Sequence, residues 1–93
     1  MIKAVWNDET IAESNDTISL EGNYYFPPES VSKKTLTASA KQTTCPFKGV
    51  ASYYDVTVNG KVNESAAWYY PEPKEGFEKI ANHVAFWQGV KII

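Results

Sequence analysis

Apolar and polar residues alternate in short runs along most of the chain, and the runs predict strands. Ile2 to Trp6 reads as an edge strand closed by the turn-prone Asn7-Asp8. Thr10 to Glu13 and Thr17 to Glu21 read as short strands around Asn15-Asp16. In the second, Ile18 and Leu20 alternate with Thr17, Ser19 and Glu21, the period of a half-buried strand, and Gly22 ends it. Asn23 to Phe26 is an aromatic strand stopped by Pro27-Pro28, because two prolines cannot donate ladder hydrogen bonds. Pro28 to Val31 predicts one helical turn, and Thr35 to Ser39 returns to β character.

Val50 to Val58 and Lys61 to Asn63 form the clearest hairpin, around Asn59-Gly60. A two-residue loop sets Val62 opposite Thr57 and mixes the faces. A three-residue loop with Gly60 left-handed pairs Val56 with Val62 and gathers Tyr54, Val56 and Val62 on one apolar face, so the pattern favours it. Thr43 to Gly49 reads as a loop entering this hairpin. Ala66 to Tyr70 is a further aromatic strand, ended by Pro71-Glu72-Pro73. Glu75 to Asn82 predicts the one helix: Phe77, Ile80, Ala81 and Val84 fall at i, i+3, i+4 and i+7. It is short enough to need docking on a sheet. Val84 to Trp87, the turn-like Gln88-Gly89 and Val90 to Ile93 close the chain with β-type residues. Ninety-three residues without repeats, linkers or low-complexity segments predict a single domain over residues 1–93, mostly antiparallel β, with one short helix near the C-terminus.

Composition narrows the function classes. Nine lysines, no arginine and a net charge of −2 disfavour nucleic-acid binding, which draws on basic excess and bidentate arginine. One cysteine makes neither an internal disulfide nor a Cys-rich zinc site, and one histidine cannot anchor a multi-histidine site. The opening MIKAVWNDET lacks the apolar core of a signal peptide, and no apolar run reaches the ~20 residues of a membrane helix. The expectation is a cytoplasmic protein, with no membrane or nucleic-acid partner and no recognisable cofactor. Asn15-Asp16-Thr17 and Asn63-Glu64-Ser65 match the glycosylation sequon, which has no role in that compartment.

Three groups of residues carry candidate chemistry. Cys45 is a candidate nucleophile if Lys48 or His83, the sole histidine, lowers its pKa; the bland alternative is a small buried apolar residue. His83 alternatively caps or packs the end of the predicted helix. The aromatics come in adjacent runs: Tyr24-Tyr25-Phe26, Tyr53-Tyr54, Trp68-Tyr69-Tyr70 and Phe86-Trp87. Strand neighbours point to opposite faces, so each run sends rings both into the core and onto a second face. Such a face is either covered or forms a pocket for a flat or cationic small molecule. The eleven acidic residues are spread along the chain, with no Asp-x-Asp pair, and there is no Gly-rich phosphate loop.

Five stretches taken together resemble a known family. They are the opening MIKAVWN, LEGNYYFPP (Leu20 to Pro28), TTCPFKGVASYY (Thr43 to Tyr54), AWYYPEP (Ala67 to Pro73) and IANHVAFWQGV (Ile80 to Val90). In this order they resemble the bacterial domain-of-unknown-function family 427 over nearly the whole chain, with Phe47 where that family carries Trp. The resemblance implies a β-tent, two small antiparallel sheets meeting like the sides of a tent. That architecture is shared with methionine sulfoxide reductase B and the ligand-binding domain of cereblon, where ligands are held on the sheets. The family also carries a nucleotidyltransferase label.

The combined expectation is a small-ligand pocket walled by aromatics, with Tyr25, Cys45, Lys48, Tyr53, Trp68, Tyr70 and His83 as its residues. Rings stack or hydrogen-bond, Lys48 neutralises an anionic group and His83 donates. The alternatives are a small enzyme, thiol-based through Cys45 with Lys48 and His83 or nucleotide-handling, and a structural or protein-interaction module.

Overall fold

The alternating runs become strands almost everywhere. A computed structural model describes residues 1–93, and in it nine strands and three 3-10 turns follow one another. The strands are β1 Ile2–Trp6, β2 Glu9–Ser14, β3 Ile18–Leu20, β4 Asn23–Tyr25, β5 Leu36–Cys45, β6 Gly49–Val58, β7 Lys61–Tyr69, β8 Ala85–Phe86 and β9 Lys91–Ile92. They form three antiparallel sheets, ordered β2-β1-β9, β3-β4 and β5-β6-β7-β8. The β-rich, antiparallel class matches the expectation, with three small sheets in place of two.

The four-stranded sheet is apolar on both faces, which is what paired aromatics on a strand dictate. One face presents Tyr54, Val56, Val58, Ala67, Tyr69 and Phe86 to a core shared with Ala4, Ile11 and Ala12 of the first sheet and with Phe26. The other presents Ala51, Tyr53, Trp68, Tyr70 and Ala85 to a second cluster with Tyr25, Ile18 and Leu20 of the β3-β4 hairpin and with Phe77 and Ile80. Tyr25 and Phe26, adjacent in the chain, are buried in different clusters.

Four local expectations are corrected. β1 is the central strand of its sheet, not an edge, because β9 returns from the far end of the chain to pair with it. Cys45 ends strand β5 rather than sitting in a loop; the turn is confined to Pro46-Phe47-Lys48. The helix over 75–82 is a single 3-10 turn, Glu78–Ile80. Gly76 at φ +95° precedes it and Ala81 returns to an extended ψ of 126°, so no helical run nucleates. The apolar stripe serves two cores instead of one: Phe77 and Ile80 pack in the second cluster and Val84 in the first. The backbone finds partners outside a helix, Asn82 N–H donating to the Tyr70 carbonyl at 3.0 Å.

The fourth correction concerns the Asn59-Gly60 hairpin. Thr57 pairs with Val62 and Val58 with Lys61, leaving a two-residue loop. Asn59 at φ 51° and Gly60 at φ 78° are both left-handed, as this tight turn requires. The mixed faces are resolved by a bulge: Tyr54 pairs with Ala67 and Val56 with Asn63, so Glu64-Ser65-Ala66 oppose Asp55 alone. Val62 therefore points outward and is 57% exposed, while Val56 is fully buried. Val62→Thr is expected to change stability by less than about 0.5 kcal/mol in urea unfolding. Val56→Ala should cost about 2 kcal/mol or more. Comparable losses at the two positions would contradict this register.

Candidate functional site

The second aromatic face is only partly covered, and a cleft of about 250 Å³ opens beside the β3-β4 hairpin. Tyr53 of β6 and Trp68 of β7 are direct cross-strand partners, so their rings share this face. Tyr70 follows two residues after Trp68, Tyr25 comes from β4, and Trp87 follows β8. The rings meet at steep angles. Trp68 stands at 88° to Tyr25 and at 88° to Trp87, with centroids 6.2 Å apart in both pairs. Tyr53 and Trp87 are tilted by 50° at 6.4 Å. The Trp68 indole N–H donates to the Tyr25 hydroxyl at 3.3 Å, and Tyr53 hydrogen-bonds the Thr43 hydroxyl at 3.0 Å.

Two bulges flank Tyr53-Tyr54-Asp55 and shape the cleft's outer wall. On β5, Ala38 pairs with Tyr54 and Gln42 with Ser52, so Ser39-Ala40-Lys41 oppose Tyr53 alone. On β7, Ser65 adopts φ 52°, and its N–H donates to the Asp55 carboxylate at 2.8 Å. The Ser39 and Ser65 hydroxyls join the bulges at 2.8 Å. The second bulge pins Trp87, whose indole N–H donates to the Ser65 carbonyl at 2.6 Å while its backbone N–H donates to Ala66. The first delivers Lys41, whose ammonium lies 5.2 Å from the Tyr53 ring centroid and 5.3 Å from that of Trp87.

The cleft's polar wall is an ion pair. Lys48, only 6% exposed, reaches from the β5-β6 turn to the Glu21 carboxylate, and its ammonium also lies 5.6 Å from the Phe77 ring centroid. Glu21 stands in the β3-β4 turn at φ 52° beside Gly22. The Glu21 hydrogen bond holds the Lys48 pKa above its ordinary value although burial opposes it. Burial pushes the Tyr70 phenol up to about 12 and also raises Tyr25. The unfolded chain therefore gives up these phenol protons first. The Tyr70 contribution is complete below the ordinary value of 10.0 and is lost as pH rises towards 12, and Tyr25 acts in the same direction. Urea unfolding should show stability falling as pH rises from 10 towards 12, in the direction that the raised Tyr70 phenol and Lys48 ammonium both dictate. A flat profile between pH 10 and 12 would contradict that placement of Tyr70.

Of the residues expected to form a pocket, the structure brings Tyr25, Lys48, Tyr53, Trp68 and Tyr70 to the cleft. Cys45 packs against the same cluster without lining the opening. Backbone N–H groups of Lys48 and Phe47 hold its thiol pKa below the ordinary value, with the Lys48 charge adding to them. His83 does not line the cleft: its Nδ1 pairs with the Ala81 carbonyl at 3.0 Å, and no hydrogen bond joins it to Cys45. Glu21, Asn23 and Trp87 line the cleft and were not among the expected residues. Trp87 carried a signal, the Phe86-Trp87 doublet; the polar pair Glu21 and Asn23 flank Gly22 in the LEGNYY stretch. No group of three or more His, Cys, Asp or Glu side chains converges on one point, and no helix is long and apolar enough to cross a membrane.

No curated protein matches the chain. The model of one family does, over residues 1–92, and that family is described as a domain of unknown function, DUF427, under a short name that labels it an NTP transferase. With a match spanning nearly every residue, from β1 through β9, the chain belongs to the DUF427 family.

Proposed function

We propose that this chain acts as one small ligand-binding domain, holding a small molecule in the aromatic cleft. The observation that carries the reading is the cleft itself: Tyr25, Tyr53, Trp68 and Trp87 wall a space of about 250 Å³ with the Lys48–Glu21 pair at its side. Apolar walls with a few convergent polar groups are the usual make-up of a small-molecule site. The composition supports a cytoplasmic protein without nucleic-acid partners: one cysteine, no arginine and a net charge of −2. A nucleotide-handling enzyme rests on the family's label alone, and a thiol enzyme on the lowered Cys45 pKa with no hydrogen bond from His83.

Thermal unfolding with a panel of nucleotides, flavins, modified amino acids and quaternary amines tests the reading. A ligand at about 100 times its Kd adds ~2.7 kcal/mol, on the order of 10 °C or more in a chain of this size. Trp68→Ala should abolish the gain. Trp68 also packs in a core cluster, so Trp87→Ala, at a position 40% exposed, serves as the less disruptive second variant. Unchanged melting across the panel, or gains that both variants retain, would sink the proposal.

A further inference from the structure

We infer that the cleft takes a compact organic cation, the alkylated ammonium group of a small molecule, in preference to a flat ring; this deepens the ligand-binding reading and rests on it. The wall geometry is the first support. Two parallel rings make a slot for a flat ligand. Here Trp68 is perpendicular to both Tyr25 and Trp87 at 6.2 Å, so the walls form corners that surround a rounded group. The electron-rich ring faces then favour positive charge.

The second support is that two of these rings already hold an ammonium. Lys41 Nζ sits 5.2 and 5.3 Å from the Tyr53 and Trp87 centroids, and it has no carboxylate partner. The rings thus attract a cation without the help of a counter-ion. The β5 bulge that places Lys41 there is a local departure from regular pairing, opposite Tyr53 itself. Lys41 itself does not line the cleft, so the two rings hold its ammonium from beside the opening and leave the cleft free for a ligand.

The third support is a free acceptor on the remaining wall. Lys48 is neutralised by Glu21, and Glu21 lines the cleft with its side chain 59% exposed and only one carboxylate oxygen engaged. A carboxylate oxygen therefore remains for a positive ligand.

The test follows tryptophan fluorescence, since two of the three tryptophans, Trp68 and Trp87, line the cleft. Choline is titrated against its neutral isostere 3,3-dimethylbutan-1-ol and against uracil as a flat ring, at constant ionic strength. Choline should give a saturable change, at least about tenfold tighter than the alcohol. Trp87→Ala should weaken choline binding about tenfold, with circular dichroism confirming that the variant is folded. Equal binding of choline and alcohol overturns the cation assignment, as does Trp68-dependent binding of uracil without a choline response. Both of those outcomes leave the ligand-binding reading intact. No response to any probe, together with a flat thermal panel, removes both.

Discussion

Phe26→Ala is expected to cost about 3–5 kcal/mol, the range for deleting a buried phenyl ring. A chain of this size has only about 5–14 kcal/mol of stability, so the variant should melt roughly 15–30 °C lower. Phe26 is fully buried, and its ring meets Phe86 edge-on at 5.6 Å. Its backbone exchanges two hydrogen bonds with Val84, at 2.8 and 2.9 Å. Those bonds tie the β3-β4 hairpin to the segment that leads into β8. The alanine variant keeps the bonds but empties the space between the hairpin's end and the large sheet. Urea unfolding with an unchanged slope and a much lower midpoint is the expected result. A loss below about 1 kcal/mol would mean that the first core can close over the gap, contrary to the packing described.

The second large effect is at Gly49, where the backbone itself is the constraint. Gly49 has φ +115°, which side-chain-bearing residues rarely adopt, and an added Cβ would lie 3.3 Å from the Glu72 carbonyl oxygen. That oxygen cannot swing away as a side chain would, because the next turn is fastened by Lys74 N–H donating to the Lys48 carbonyl at 2.8 Å. Gly49→Ala should therefore cost about 2–3 kcal/mol. Gly22→Ala is the control. Its φ is +81° but nothing lies within 4 Å of the new Cβ, so it should cost only about 1–2 kcal/mol. The difference between the two losses reads the close approach of the Glu72 segment. Equal losses would show that the approach is irrelevant. Because Gly49 follows Lys48, the same substitution should also disturb the Lys48–Glu21 pair and with it the cleft's polar wall.

Much of this architecture was written in local pattern, and the aromatic doublets were its most informative part. Tyr53-Tyr54 and Trp68-Tyr69 each send one ring to each side of the sheet. Tyr53 and Trp68 go to the cleft, and Tyr54 and Tyr69 stack at 4.7 Å on the other face. Period two alone predicted that division. What it could not carry was the bulge at Asp55, which rephases β7 against β6, because a bulge is a property of two strands. The preference for a Val56–Val62 pairing failed for that reason. The apolar stripe at 77–84 misled for a related one: helical spacing and service to two separate cores produce the same letters. The Lys48–Glu21 pair joins residues 27 positions apart and leaves no local trace. His83 stands out in the sequence as the sole histidine and as a residue at the end of the predicted helix; a backbone carbonyl pairs with its ring nitrogen.

The β5 bulge has a consequence for the protein's life among other copies of itself. β5 is the outer strand of the four-stranded sheet and, at ten residues, one of its two longest. A long, straight outer strand is a template on which a second chain can add its own strand and begin aggregation. The bulge divides this edge into paired stretches of three residues, Leu36 to Ala38, and four, Gln42 to Cys45. Between them stands a lysine. Neither stretch offers a long continuous row of free N–H and C=O groups, and a strand approaching the break meets a charge. The irregularity that sets Lys41 against the aromatic rings thus also guards the outer edge of the largest sheet.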